Sequence, residues 1–404
     1  MSCFFVFLRK KPIFATTNHN VMKKPLVLLL LLMAPAISFS QEEEVMDSVN
    51  YPSKEKDSYY EERIKNYKPW EPMDVDEIWA YKNLFFEIKE KKRYTPYKES
   101  EERQQYYYES LKPKFQFCPE LASKVGNKQI IKYGKKGSVE AIVYKRYEYP
   151  FASEVCIDVA YSDNGGESWS FYYTGITHCQ PLCVKSQTPT PLFNEQGDLQ
   201  LEACLLRQIS QPTLGHPFDY ELVKDGLLLT IDLDVLRKDS DGDGLTDIME
   251  TWYLTDPFDV DSDGDGIADG LDMNPRRSGL RSDKTAIFEY LINGEYSDTL
   301  LTIAPEVCYA SEATSAVMIV TDNADIYAVQ PKNDRLIVLS TEEYENMGKY
   351  YQPMREIIVS PLFKVDEEED CYLVNIVNNY GSREYYVTKI ENGWKMQVVE
   401  MGIF

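Results

Sequence analysis

The residues whose types and spacing can do chemistry are the acids of one stretch, 239–272, which reads DSDGDGLTDIMETWYLTDPFDVDSDGDGIADGLD. Asp and Glu occupy 12 of its 34 positions and Lys or Arg none. Carboxylates crowded this closely on a folded backbone repel one another unless a cation neutralises them. The spacing shows how a cation would be held. The block DSDGDG starts at Asp239 and again at Asp261. In the first copy, side-chain oxygens fall at positions 1, 3, 5, 9 and 12 of a loop: Asp239, Asp241, Asp243, Asp247 and Glu250. Gly244 stands at position 6, where the chain must turn sharply, and Leu245 at position 7 would offer its backbone carbonyl. The second copy repeats the pattern with Asp261, Asp263, Asp265, Gly266, Ile267, Asp269 and Asp272. Donor sets made only of oxygen suit a hard divalent cation, and Ca²⁺ is the expected cofactor. Asp272 replaces the longer Glu at position 12, which predicts weaker or more hydrated binding in the second loop. Each loop carries five carboxylates, so folding of the segment is expected to depend on metal.

The first loop matches the complete EF-hand loop pattern, and three calcium architectures use such a loop. In paired EF-hands a long helix enters each loop, whereas 227–233 here reads as a strand. Dockerin modules pair two such loops, each followed by a helix; 246–254 could be the first helix, but Met273-Asn274-Pro275 would stop a second one. The intervening Thr255-Asp256-Pro257-Phe-Asp259-Val-Asp261 resembles the linker of thrombospondin type 3 repeats. That resemblance, over 239–275, is preferred. It implies an acidic repeat that wraps calcium and sets the relation between neighbouring modules, with Asp256 and Asp259 as extra ligands.

The elements around the loops divide the chain. Residues 1–40 read as a signal peptide with Met22 as the better-placed start: Lys23 and Lys24 precede an apolar run, and a small-residue site precedes Gln41. Residues 41–115 are Tyr-rich, with helices expected over 75–93 and 98–111 and a poorly ordered beginning. Residues 116–237 form an expected antiparallel β domain, with strands at 139–147, 155–161, 169–173, 199–207 and 227–233. Residues 238–275 are the calcium-binding repeats that link it onward. Residues 276–404 read as an α+β domain, with strands at 286–292, 317–321, 335–340, 356–363, 372–377, 384–390 and 394–400 and a helix at 341–350. The expected fold class is therefore multidomain, mainly β and α+β, with an N-terminal helical segment.

Two further motifs lie in the β domain. Ser162-Asp-Asn-Gly-Gly-Glu-Ser-Trp169 resembles the Asp-box hairpin of sialidase-like propellers, with Asn164 where the acid usually stands and Ser168 for Thr. In those families the motif is structural, and the chain holds one copy. His178, Cys179 and Cys183 could begin a zinc site, but a disulfide-bearing loop with an incidental His is the simpler reading. Seven cysteines follow residue 40, an odd number, and their connectivity is open.

The formal charge of −23 argues against a nucleic-acid partner, and no apolar stretch beyond residue 40 could span a bilayer. The 30 tyrosines suit a protein or glycan surface ligand, whose identity is open. The expected function is a calcium-binding protein, secreted or periplasmic, with cell-surface association left open, whose repeats rigidify the joint between two modules in an interaction or structural role. Alternatives are a secreted glycan- or peptide-acting hydrolase and a dockerin-like assembly module. An enzyme is disfavoured, since neither HExxH nor GxSxG occurs.

Overall fold

The computed structural model describes residues 85–97, 108–126, 129–147, 155–177, 182–186, 188–209, 220–293, 316–332, 334–346, 355–366, 370–378, 381–391 and 393–403. The signal peptide and most of the 75–93 helix expected from sequence lie outside them. The described tail of that helix is a correction: Glu87–Glu90 is a strand, β1. It pairs antiparallel with residues 227–230, and Ile88 packs onto the core. Pairing across so much sequence overrides a local helical period. Helices α1 (Tyr108–Phe117) and α2 (Pro119–Val125) follow, so the opening of the expected β domain is helical.

Next come β2 (Gln129–Lys136), β3 (Val139–Tyr147), β4 (Val155–Ser162) and β5 (Ser170–Thr177), an antiparallel meander in that order. β6 (Leu182–Val184), β7 (Leu199–Gln208) and β8 (Tyr220–Ile231) join β1 in a second sheet, ordered β1-β8-β7-β6. Ile131, Val143 and Val159 of the first sheet share one buried cluster with Leu201, Ala203, Leu227 and Leu229 of the second. This is a sandwich core. The outer face of the meander is covered too, by Leu111, Leu121 and Val125 of α1 and α2 over Ile142 and Trp169.

The acidic stretch contributes α3 (Leu233–Leu236) and α4 (Asp247–Tyr253). Beyond it, α5 (Thr285–Asn293) replaces the strand expected at 286–292. Short apolar runs do not distinguish helix from strand. The start here is set by Ser282, whose hydroxyl accepts the amides of Lys284 and Thr285 while Thr285 accepts the Ser282 amide. A third sheet holds β9 (Ala316–Val320), β10 (Arg335–Leu339), β11 (Arg355–Val359), β12 (Phe363–Asp366), β13 (Cys371–Asn378), β14 (Gly381–Ile390) and β15 (Gly393–Ile403), with α6 (Thr341–Asn346) after β10. Its order is β10-β9-β11-β13-β14-β15, with β12 beside β13. β9 is parallel to both neighbours, and every residue of β9 and β10 is buried. Parallel strands are typically covered on both faces. One face, with Val317, Ile319, Leu336 and Val338, packs with Ile287, Phe288 and Leu291 of α5; the other, with Met318, Val320, Ile337 and Leu339, joins the cluster that fills the sandwich. The architecture is mainly β: three sheets with a few short helices.

A buried polar network pins the loop 188–191, Thr-Pro-Thr-Pro, to the sandwich. Glu202, 1% exposed, accepts from Lys91 (2.9 Å), the Thr95 amide (2.7 Å) and the Thr190 hydroxyl. Lys132 donates to Thr188 Oγ1 (2.9 Å) and to the Thr190 carbonyl. Burial works to raise the Glu202 pKa, but the bonds from Thr190, Lys91 and Thr95 outweigh it and hold the group at about 2. A depressed carboxyl contributes stability above its unfolded pKa and loses it as pH falls toward the folded one. Glu202→Gln is expected to cost about 2–4 kcal/mol at neutral pH, and the gap should narrow between pH 5 and pH 2.5. Denaturant unfolding across that range checks it; a constant gap would refute the assignment.

Candidate metal centre

Strand β8 delivers the chain to the acidic stretch. Asp232 caps α3 by accepting the amides of Asp234 (2.7 Å) and Val235 (3.3 Å), and the first loop begins directly after it. Within each loop the first carboxylate organises the turn. Asp239 accepts the amides of Gly242 (2.7 Å) and Gly244 (3.2 Å), and Asp261 those of Gly264 (3.0 Å), Asp265 (3.2 Å) and Gly266 (2.8 Å). The position-6 glycines sit at φ 101° and 95°, where a side chain would be strained, which explains why the block keeps Gly there. Asp243 and Asp265 accept the amides of Leu245 (2.7 Å) and Ile267 (2.8 Å).

These bonds engage one oxygen of several acids and turn another inward. Carboxylate oxygens of Asp239, Asp241 and Asp243 lie within 4.8 Å of one another, as do those of Asp261, Asp263 and Asp265. The inward oxygen is the same in both loops: Oδ2 of Asp241 and of Asp263 is buried without a hydrogen-bond partner. A third group joins Asp243 and Glu250 to Asp269 of the second loop. Glu250 is fully buried, and neither of its oxygens has a partner. Asp272 is buried, accepts the Asn274 amide (2.9 Å) on one oxygen and leaves the other unpartnered. Buried carboxylates without donors are costly unless a cation reaches them. The residues therefore fit a metal ion held by oxygen, and the Asp clusters can bind one.

Electrostatics agree with the geometry. Burial first, then Asp241, Asp243, Asp247 and Asp269, push Glu250 up to about 8. Burial and the charges of Asp265, Asp272 and Asp261 push Asp263 to about 7. Burial, with Asp243 and Asp272, raises Asp269 to about 6. Burial raises Asp243 and Asp272 as well. Asp247 goes the other way: burial opposes it, but hydrogen bonds from Lys238 and Ser240 hold its pKa low.

That difference sets position 9 of the first loop apart from position 9 of the second. Asp247 spends its oxygens on the Ser240 amide (2.8 Å), the Ser240 hydroxyl (2.9 Å) and Lys238 (2.8 Å), clamping the loop rather than entering an acid group. Asp256 and Asp259 accept the amides of Phe258 (3.1 Å) and Asp261 (3.4 Å) in local turns. Of Leu245 and Ile267, the expected carbonyl donors, the amides are engaged as described above. No helix follows the second loop until Thr285, so the helix a dockerin needs there is not formed.

The site also has partners that motif reading missed. α4, opened by Thr246 as N-cap, carries Glu250 on one side and Ile248, Trp252 and Tyr253 into the core. Trp252 lies 4.5 Å from Tyr173 of β5, ring centroid to centroid, beneath the Arg146 guanidinium. Arg335 of β10 is buried over the Tyr253 ring (4.8 Å) and donates to the Gly270 carbonyl (2.9 Å). Gln330 donates to Asp272 (3.4 Å). Neither Arg335 nor Gln330 belongs to a spaced pattern, and only folding brings them in.

Away from the centre, the Asp-box-like octapeptide closes the β4–β5 hairpin. Asn164 accepts from the Ser168 amide (3.1 Å) and the Ser162 hydroxyl (2.8 Å), and buried Trp169 donates to the Gly166 carbonyl (3.2 Å). His178 and Cys179 lie outside the described residues; Cys183 stands opposite Cys204 in the β6–β7 register.

No protein-family model, no curated protein and no solved structure matches the chain.

Glu250→Gln keeps the shape of the group and removes its charge. In chelator this variant is expected to melt at or above the unsubstituted protein, because the repulsion is gone. It should lose the rise in melting temperature on adding divalent cation. Melting curves with and without chelator decide it; a variant that keeps the full rise would remove Glu250 from the centre.

Proposed function

We propose that the protein is a calcium-binding protein, exported by its N-terminal signal to the periplasm or beyond. In this reading calcium in the paired loops rigidifies the joint between the β sandwich and the C-terminal α+β part, which serve an interaction or structural role. The observation that carries the reading is Glu250: a fully buried, unpartnered carboxylate on the same short helix that places Trp252 and Tyr253 in the core. A cation there neutralises the acids and secures that helix together.

Further bonds support a stiffened joint. The Leu336 amide donates to the Met273 carbonyl (2.7 Å), Asn274 Nδ2 to the Tyr327 carbonyl (3.0 Å) and the Ser278 hydroxyl to the Asp263 carbonyl (2.9 Å). The loops are thus held against the third sheet on one side and against β5 on the other. Calcium is favoured over smaller cations because the donors are numerous, all oxygen, and spread over flexible glycine turns. Among the described residues, no helix is long and apolar enough to cross a membrane.

At calcium about 100-fold above its dissociation constant the bound state gains about 2.7 kcal/mol. Melting temperature should rise in calcium, fall in chelator, and respond little to magnesium. Asp243→Asn and Asp265→Asn should each diminish the calcium response. Calorimetry and melting that register no calcium effect would refute the proposal.

A further inference from the structure

We infer that the two loops do not hold their ions independently: Asp269 of the second loop serves as a ligand in a centre built on Asp243 and Glu250 of the first, so one divalent-cation site spans both repeats. The inference rests on the calcium reading above and assigns the ligand set of one of its sites.

Three observations carry it. Carboxylate oxygens of Asp243, Glu250 and Asp269 lie within 4.8 Å of one another, although Asp269 belongs to the other loop. Into this group points Glu250, fully buried with both oxygens unpartnered, a side chain that no hydrogen-bond donor of the described residues satisfies. The loops are also in direct backbone contact. The Gly270 amide donates to Asp243 Oδ2 (2.5 Å), and a Cβ at Gly270 would stand 2.4 Å from the Asp243 carbonyl oxygen, so only glycine permits this approach.

An asymmetry between the repeats explains why the ligand crosses over. Position 9 of the first loop, Asp247, is paired with Lys238, the residue just before that loop. The equivalent residue before the second loop is Val260, which has no charge to offer Asp269. Asp269 is buried and oriented by the Ser262 amide (3.0 Å) and hydroxyl (2.5 Å). Each carboxylate oxygen retains a lone pair for a metal. The first loop, deprived of its own position-9 acid, is completed by that of the second.

The test is calcium calorimetry on the full chain. Asp241→Asn, a substitution confined to the first loop's own group, identifies the binding component that belongs to that loop. Asp265→Asn does the same for the second. Asp269→Asn is expected to weaken the component that Asp241→Asn removes by about tenfold or more, and by more than Asp265→Asn does. Gly270→Ala, which keeps every carboxylate and only pushes the loops apart, should weaken the same component; it decides the question alone if circular dichroism shows Asp269→Asn unfolded. The inference is overturned if Asp269→Asn, or failing it Gly270→Ala, leaves that component within about twofold. It is overturned as well if Asp265→Asn weakens that component as much as Asp269→Asn, since the coupling would then run through the fold and not through a shared ligand. An unsubstituted chain that binds no calcium would remove the calcium reading itself, a result distinct from either.

Discussion

Glu250 sets the terms for the rest of the molecule. An ionised carboxylate buried without a partner costs several kcal/mol, and like charges nearby add to the cost. Glu250 is in this position beside Asp243 and Asp269. Yet it cannot move out to solvent, because its helix is only Asp247–Tyr253 and is anchored in the core by Ile248, Trp252 and Tyr253. A helix of seven residues is not stable alone. Its shape comes from the Thr246 cap, the packing of its aromatic side and whatever neutralises its acidic side. The acidic centre and the hydrophobic core are therefore joined through about two turns of helix.

This joining accounts for the way the sheets are assembled. β9 and β10 are buried on both faces, and one of those faces shares a cluster with the sandwich and with α4. Arg335 lies on β10 and reaches the second loop at Gly270. Arg276, just past the loops, donates to the carbonyls of Leu254 (3.0 Å) and Val338 (3.1 Å). Leu254 ends α4 in the left-handed region at φ 61°, a conformation that a β-carbon disfavours and that such anchoring sustains. The acidic repeats are thus packed into the body of the protein and are not a free tether.

Much of this was legible in the residues. The strands expected at 139–147, 155–161, 199–207, 372–377, 384–390 and 394–400 are β3, β4, β7, β13, β14 and β15, because their β-branched and aromatic residues suit a packed sheet. The doubled DSDGDG block marked both acid triads, since carboxylates at every second position of a glycine-turned loop converge whatever surrounds them. The errors had a common cause. Ile88 fell within an expected helix because the strand it pairs with, β8, lies far along the chain. The apolar run of α5 read as a strand because a segment buried on most sides loses its period. Spacing within the loop also did not show that Lys238 pairs with Asp247.

What the sequence by itself determined is the kind of chemistry: oxygen donors, their spacing within each loop, and the glycines that let the backbone bring them inward. These are local properties, set over a dozen residues by covalent geometry and charge. Only the tertiary structure decided which acids from different loops meet, that Glu250 is sealed from water, and that Arg335 and Gln330 border the site. Those outcomes depend on the packing of α4 against β5 and β10. Packing is a sum of contacts between residues distant in sequence, and no pattern within one loop contains it.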